Sequence, residues 1–484
     1  MLHCSPCPAT GSGLHAPGES LEKALPVAWS LEPEADPILQ VTGRSVHFPD
    51  DQALLALITA RVEEGRATGI VLGVLDPDGT RRIVAAGDPG PDARPLGPES
   101  VFEIGSITKV FTGVLLAEMA ARGEVDLMAP ARRYAPVGLT MPARGEREIT
   151  LADLASHRSG LPRLPGNLMR NNRANPHAEY SVAQLYEFLA SYSLPREIGS
   201  QYEYSNLGMG LLGHVLAARA GVDYDTLVRT RILDPLWMTM TGAALSPAMK
   251  ARLAIGHDAE GKPAGLWDLP TLVGAGGLRS NMNDMLIFLS ANIGDPRSML
   301  ETAMRVSHQP LARGQGMLDC GLAWHILSVG PDTIVWHTGG TGGYRSFIGF
   351  DPVRGVGAVL LTNSAREAED IAFHLLNRAI PLRPRPIART AIDLPADILA
   401  RYVGDYQFML EFTRPVTLSV TLEHGVLMMQ VTGEAKAPIF AESATSFFAR
   451  QADNRFTFLT DADGFATGLI LHQSRFNRTV KKIR

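Results

Sequence analysis

Hydrophobic residues follow two rhythms along this chain, and the change between them divides it. Apolar positions with helical spacing first appear at Leu54, Leu55, Leu57, Ile58 and Val62, predicting a helix over Asp51–Glu64. The unbroken apolar run Gly69-Ile-Val-Leu-Gly-Val-Leu75 reads as a buried strand. Asp76-Pro-Asp-Gly79 supplies turn residues, and Arg82-Ile-Val-Ala-Ala-Gly87 reads as a second strand. The longest helical pattern runs from Ser106 to Arg122 on Val110, Val114, Leu115, Ala117 and Met119, with Gly123 as a C-terminal cap. Helical spacing returns at Ser181–Tyr192, Leu207–Ala220 and Met282–Asn292. Strands resume at Thr333–His337, Tyr344–Asp351 and Gly357–Asn363, followed by a helix over Glu367–Ile380. Early strands, a helical middle and late strands predict an α+β fold. Its antiparallel sheet draws on both ends of the segment, with helices against it and a mostly helical lobe beside it.

The rhythm changes at Pro381-Leu-Arg-Pro-Arg-Pro386. Short alternating strands follow at Thr417–Leu422, Val426–Thr432, Ser446–Arg450, Phe456–Thr460 and Leu469–Gln473, the pattern of a small barrel or half-barrel. Four parts result: a loose extension over 1–40, an α+β domain over 41–384, a Pro-rich linker over 385–394 and an all-β domain over 395–484.

Composition removes several functions. With 45% hydrophobic and 20% charged residues the chain is globular. Its net charge of −5 gives no basic footprint for nucleic acid. Cys4, Cys7 and Cys320 are too few for a disulfide framework, and the Cys4-x-x-Cys7 pair lies in the loose extension without a second pair to complete a zinc site. The 13 histidines contain no H-E-x-x-H, so no metal site is expected. No run reaches the roughly 18 apolar residues of a membrane span. No basic segment followed by an apolar one opens the chain, so as written it is expected in the cytoplasm. A different start would place it in the periplasm or outside the cell. Oligomeric state stays open.

The chemistry rests on three short motifs. No G-x-S-x-G occurs, but S-x-x-K occurs twice, as Ser20-Leu-Glu-Lys23 and Ser106-Ile-Thr-Lys109. The first lies in the polar extension; the second opens the strongest helix pattern. Residues i and i+3 share a helix face, so Lys109 can reach the Ser106 hydroxyl. A serine needs a base beside it, and a lysine serves as one only when desolvation or a nearby cation keeps it neutral. Tyr204-Ser-Asn206 is the single Y-x-N among ten tyrosines and precedes a helix. Its phenol can move a proton and its amide can hold a substrate carbonyl. His337-Thr-Gly-Gly340 ends a predicted strand, where glycine lets a substrate backbone come close. His157 reads as a hydrogen-bonded structural residue. Gly339, Gly340, Gly342 and Gly343 lack the G-K-[ST] of a phosphate loop.

In order and spacing these motifs resemble the serine β-lactamase and penicillin-binding-protein superfamily, in its class C-like branch. That branch holds β-lactamases, D,D-carboxypeptidases, D-aminopeptidases and carboxylesterases. The likeness spans roughly residues 45–380 and extends to Ile149-Thr-Leu-Ala-Asp-Leu-Ala-Ser-His-Arg-Ser-Gly-Leu-Pro162 and Gly274-Ala-Gly-Gly-Leu-Arg-Ser280. The C-terminal domain resembles the lipocalin-like barrels of some members. The resemblance implies an acyl-enzyme on Ser106, with Lys109 as base and Tyr204 relaying a proton to the leaving group. It implies substrate contacts from Asn206, His337, Thr338, Gly339 and Gly340, and no cofactor. The substrate would be a small molecule or short peptide: a β-lactam, a D-amino-acid peptide or a small ester. The backbone N–H of Ser106 would share the oxyanion with Thr341 or Gly342. His337 stands where the family most often has lysine. A neutral imidazole there is expected to favour esters over anionic lactams, unless Arg345 supplies the missing charge.

Overall fold

A computed structural model of the chain describes residues 47–483, except 169–171, 173, 315, 317, 386–388, 411–413, 432–435, 450–454 and 474–475. The extension over 1–40, with Cys4, Cys7, Ser20 and Lys23, lies outside the described residues. Helix α1 (Asp51–Glu63) starts at Asp50, whose carboxylate accepts the Ala53 N–H at 2.8 Å. It buries Leu54 and Ile58 but leaves Leu55 exposed. Arg61 on the same helix forms a buried two-pronged bridge to Asp370, at 2.8 and 2.6 Å.

One sheet organises the first domain. Its strands are β1 (Gly69–Leu75), β2 (Arg81–Gly87) and, after β3 (Val101–Glu103) and β4 (Arg279–Asn281), which pair with each other, β5 (Ala312–Arg313), β6 (Leu318–Cys320), β7 (His325–Val329), β8 (Asp332–Gly340), β9 (Arg345–Asp351) and β10 (Val356–Thr362). The order is β2-β1-β10-β9-β8-β7-β6-β5, antiparallel throughout. β1 lies against β10 with Ile70 opposite Thr362, so the sheet joins both ends of the domain as expected.

The unbroken apolar run of β1 follows from burial on both faces. Val71 and Leu75 enter one core with α2 (Thr108–Ala121) and α4 (Met282–Ile293), whereas Ile70, Leu72 and Val74 enter a second with α1 and α5 (Glu369–Leu376). Helix α2 is buried from Thr108 to Ala120, so its apolar residues surround it rather than line one face. Gly123 follows at φ +71, taking the left-handed turn that ends the helix. Helix α3 (Asn206–Ala220) packs beside α2 in the helical lobe. Among the described residues no helix is long and apolar enough to cross a membrane.

The C-terminal strands form a closed eight-stranded barrel from Gly404 to Lys482, its first strand meeting its last at Tyr406 and Lys482. Tyr406, Phe447, Leu469 and Val480 fill its core, with Leu399 from a short preceding helix (Ala396–Ala400) and Tyr402 from the turn after it. Three strands escaped the pattern: Gly404–Leu410, Ala437–Ala441 and Phe476–Lys482. The last reads Phe-Asn-Arg-Thr-Val-Lys-Lys, too polar for alternation to register. Helix Met299–Ser307 and strand β7 were likewise not predicted.

Candidate active site

Ser106 sits on a 3-10 turn (Gly105–Ile107) that leads into α2, one step before the α-helix proper. Two glycines let the end of β8 lie against this turn. Gly105 has φ +49, and a Cβ there would meet the Gly340 nitrogen at 2.7 Å. A Cβ on Gly339 would come within 2.0 Å of the Ile104 carbonyl oxygen. The predicted i, i+3 approach is met: Lys109 Nζ donates to Ser106 Oγ at 2.9 Å and to the Ala275 carbonyl at 2.6 Å. Lys109 is fully buried, whereas Ser106 keeps partial access. Burial first, and then the charge of Arg163, drive the Lys109 ammonium well below the usual lysine range.

Tyr204 closes the opposite side. Lys109 Nζ lies 4.8 Å from the centre of its ring and the Arg163 guanidinium carbon 5.3 Å. Burial pushes the phenol up to about 12, against the opposing pull of the Ser106 hydroxyl and of Arg163. Three imidazoles surround this ring, with centroids 4.5 Å (His157), 6.2 Å (His337) and 6.3 Å (His325) away. His157, in the left-handed conformation at φ +60, accepts the Ser205 N–H on Nδ1 at 3.1 Å. It thereby fixes the residue beside Tyr204, which agrees with its structural reading. His325 stacks on His337 at 4.9 Å and bonds the Tyr202 hydroxyl at 3.0 Å. Burial holds all three imidazoles in the neutral form, His325 down to about 4, and the neighbouring basic groups add to this.

His337 follows Val335 by two residues on β8, and Val335 belongs to the core shared with α2, so strand alternation turns His337 toward that lobe. Its Nδ1 lies 2.6 Å from the Thr338 carbonyl oxygen, which can only accept. The proton is therefore on Nδ1, and Nε2, buried without a partner, carries a lone pair. The strand's own backbone thus takes the imidazole proton, and Nε2 offers only a lone pair. Arg345 does not provide the missing charge either. Its guanidinium donates to the Ala365 carbonyl at 3.1 Å and faces Glu369 at 3.7 Å and Glu367 at 3.9 Å.

The oxyanion donors also need correction. The Thr341 N–H bonds the Tyr344 carbonyl at 3.0 Å across the β8–β9 turn. Bonded and non-bonded pairs alternate in an antiparallel ladder, so the next pair, Gly340 with Arg345, directs the Gly340 N–H away from β9. The Gly340 nitrogen lies against Gly105 in the turn that carries Ser106, which favours Gly340 over Thr341 or Gly342. Asn206 begins α3, and its buried Oδ1 has no hydrogen-bond partner among the described residues. Thr338 lies beside Gly339 on the same strand edge, its carbonyl engaged by His337. Among the described residues no group of three or more metal-ligating side chains is arranged to hold an ion.

Two residues at the site were missed by the sequence reading. His325 lies on the unpredicted strand β7, and no motif marks it. Arg163 directly follows the quoted segment ending at Pro162, and that adjacency was the available signal.

Residues 54–380 match the Beta-lactamase family, and residues 388–484 match a family described as Domain of unknown function (DUF3471). The D-alanyl-D-alanine-carboxypeptidase/endopeptidase AmpH of Escherichia coli K12 is 32% identical over 318 residues, covering 62% of this chain and 80% of that protein. A beta-lactamase of the same strain is 28% identical over 324 residues, covering 59% and 81%. The crystal structure of a class C beta lactamase from Rhodobacter sphaeroides superimposes with a TM-score of 0.59 at 25% identity, over 68% of this chain and 98% of that one. The chain belongs to the beta-lactamase family and is a serine hydrolase of the acyl-enzyme type.

Proposed function

We propose that Ser106 carries the acyl group and that the substrate is a D-amino-acid peptide or a β-lactam, with small esters as minimal analogues. The observation that carries this reading is the 2.9 Å contact between Ser106 Oγ and the amine of Lys109, which burial drives well below the usual lysine range. Lys109 takes the hydroxyl proton as Oγ attacks the carbonyl. The N–H groups of Ser106 and Gly340 receive the oxyanion. A phenol pushed up to about 12 stays protonated near neutral pH, so Tyr204 acts as an acid and delivers its proton to the departing nitrogen or oxygen. Lys109 returns the Ser106 proton to the phenolate. Water then attacks the acyl-enzyme, with its proton passing to the same base. Asn206, with its unpartnered amide oxygen, and the Thr338–Gly340 edge hold the substrate backbone. The names of the relatives, a D-alanyl-D-alanine carboxypeptidase and a beta-lactamase, support the substrate class.

The test is covalent labelling. Incubation with a fluorophosphonate or a penicillin, followed by intact mass, is expected to add one acyl or phosphonyl group to the wild-type chain and none to Ser106→Ala. Equal labelling of the two would move the nucleophile elsewhere.

A further inference from the structure

The site lacks the cation that the family most often places at position 337, yet a cation stands at its mouth from a different direction. We infer that Arg163 reads a carboxylate on the leaving-group side of the substrate and so sets the preference for anionic over neutral substrates. The inference rests on the acyl-enzyme reading above.

Three observations support it. First, the Arg163 guanidinium lies 5.3 Å from the ring of Tyr204, the residue assigned to protonate the leaving group. Because Tyr204 is the residue assigned above to serve the leaving group, the carboxylate that Arg163 would meet is placed on the departing half of the substrate. Second, the guanidinium is presented on a pinned backbone. The Arg163 carbonyl accepts the N–H groups of Asn206 and Leu207 at 3.0 and 3.2 Å, and the Pro162 carbonyl accepts the Ser205 hydroxyl at 2.7 Å. The loop bearing the cation is thus tied to the start of α3, which also carries Asn206. Third, the charge is available. Arg163 is exposed, and no carboxylate pairs with it among the described residues, in contrast to Arg345 with Glu367 and Glu369. Burial pushes Lys109, His157, His325 and His337 toward their neutral forms, whereas the exposed Arg163 guanidinium stands as a cation beside Tyr204. A guanidinium can also grip a carboxylate with two hydrogen bonds, which an imidazole cannot.

The test compares two benzoyl thioesters that differ only in the leaving group, thioglycolate or its methyl ester. Thiol release gives kcat/KM for each, divided by its rate of alkaline hydrolysis to remove intrinsic reactivity. The full-length chain is expected to favour the carboxylate. Arg163→Gln should lower the anionic-to-neutral ratio by about tenfold or more, the effect of one charge-assisted contact. Arg163→Lys should restore part of it, and Arg163→Glu should push it lower still. Added salt should erode the ratio in the wild type and leave the Gln variant unmoved. A ratio unchanged within about twofold in Arg163→Gln, or a wild type with no preference for the carboxylate, overturns the assignment. In the first case Arg163 acts only on Lys109 and Tyr204, and both substrates slow together. A wild-type chain that turns over neither thioester and is not labelled at Ser106 overturns the hydrolase reading itself, a result separate from an unchanged ratio.

Discussion

The two walls of the pocket are built in opposite ways. One is a single turn of chain, in which Ser106 and Lys109 meet at 2.9 Å because a helical path brings residues three apart together. The other gathers Tyr204, His157, His325 and His337 from two loops and two strands. Burial acts on both, with different consequences. On the local wall it lowers the affinity of a lysine for its proton and so favours a base. On the assembled wall it keeps a phenol protonated and the imidazoles uncharged, leaving an acid in a neutral cage. A base and an acid of the required kinds thus arise from one physical cause, desolvation, which favours the neutral form of each group.

Removing the base is the most severe way to break this arrangement. Lys109→Met retains the bulk of the stem but no amine. It is expected to lower the rate of Ser106 acylation by about 10³-fold, within the range of general-base catalysis. The pH dependence sharpens the point. Activity requires the neutral amine, so kcat/KM should rise with pH through the depressed Lys109 value, well below the ordinary 10.5. Arg163→Gln removes a charge that helps depress it, and should move this rise to higher pH with a neutral ester. A rise centred near the ordinary lysine value in the wild type would mean that burial does not set the base.

The acid should matter less, and unevenly. Tyr204→Phe leaves the cage packed and removes the proton donor. With an amide, whose departing nitrogen must be protonated, the expected loss is about 10²-fold. With a p-nitrophenyl ester, whose leaving group departs unaided, the loss should be at least tenfold smaller, because little proton transfer is needed. Equal losses on both would assign Tyr204 to the Lys109 side of the reaction.

The legibility of the two walls in the sequence differs for the same reason that their construction does. Ser106 and Lys109 announce themselves because their spacing is their geometry. Tyr204 and His337 stood out as separate short motifs, but only likeness to a family joined them, since nothing in the residues between them encodes that their rings lie 6.2 Å apart. His325 was invisible, being one residue on a short strand without a motif. The direction of the His337 proton depends on its neighbour's carbonyl, a contact that periodicity cannot supply. The fold shows the same division: β1 was read from an unbroken apolar run and α2 from helical spacing, whereas the last barrel strand, Phe476–Lys482, is too polar for alternation to register.

Acid should loosen the assembled wall first. Buried His325 is held down to about 4 against an ordinary 6.5. Between these values the unfolded chain binds the proton and the folded chain does not, so stability falls as pH falls through this window. The full difference amounts to roughly 3 kcal/mol, and about 2 kcal/mol of it would be gone by about pH 5. His157 and His337 act in the same direction. Urea unfolding should therefore show a lower midpoint at about pH 5 than at about pH 7.5. His325→Gln, which can still meet the Tyr202 hydroxyl, should narrow the gap. A gap of equal size in that variant would place the acid sensitivity elsewhere.

The barrel should have the smallest effect, because both walls belong to the chain before residue 380. The ties of that domain to the following segment stop early: Arg383 N–H to Asp370 and Arg385 to Glu64, at 2.8 and 2.6 Å, both precede Ala388. Beyond it, Arg389 bridges Glu442 and the Ile392 N–H meets the Ala441 carbonyl, contacts that serve the barrel alone. Ending the chain at Ala388 therefore removes the barrel together with these partners. It breaks no hydrogen bond or ion pair within the hydrolase domain among the described residues. We expect the shortened chain to hydrolyse p-nitrophenyl butyrate within about threefold of the full chain, an effect below 1 kcal/mol in the transition state. A folded shortened chain without measurable esterase activity would show that the pocket has a third wall, contributed by the barrel.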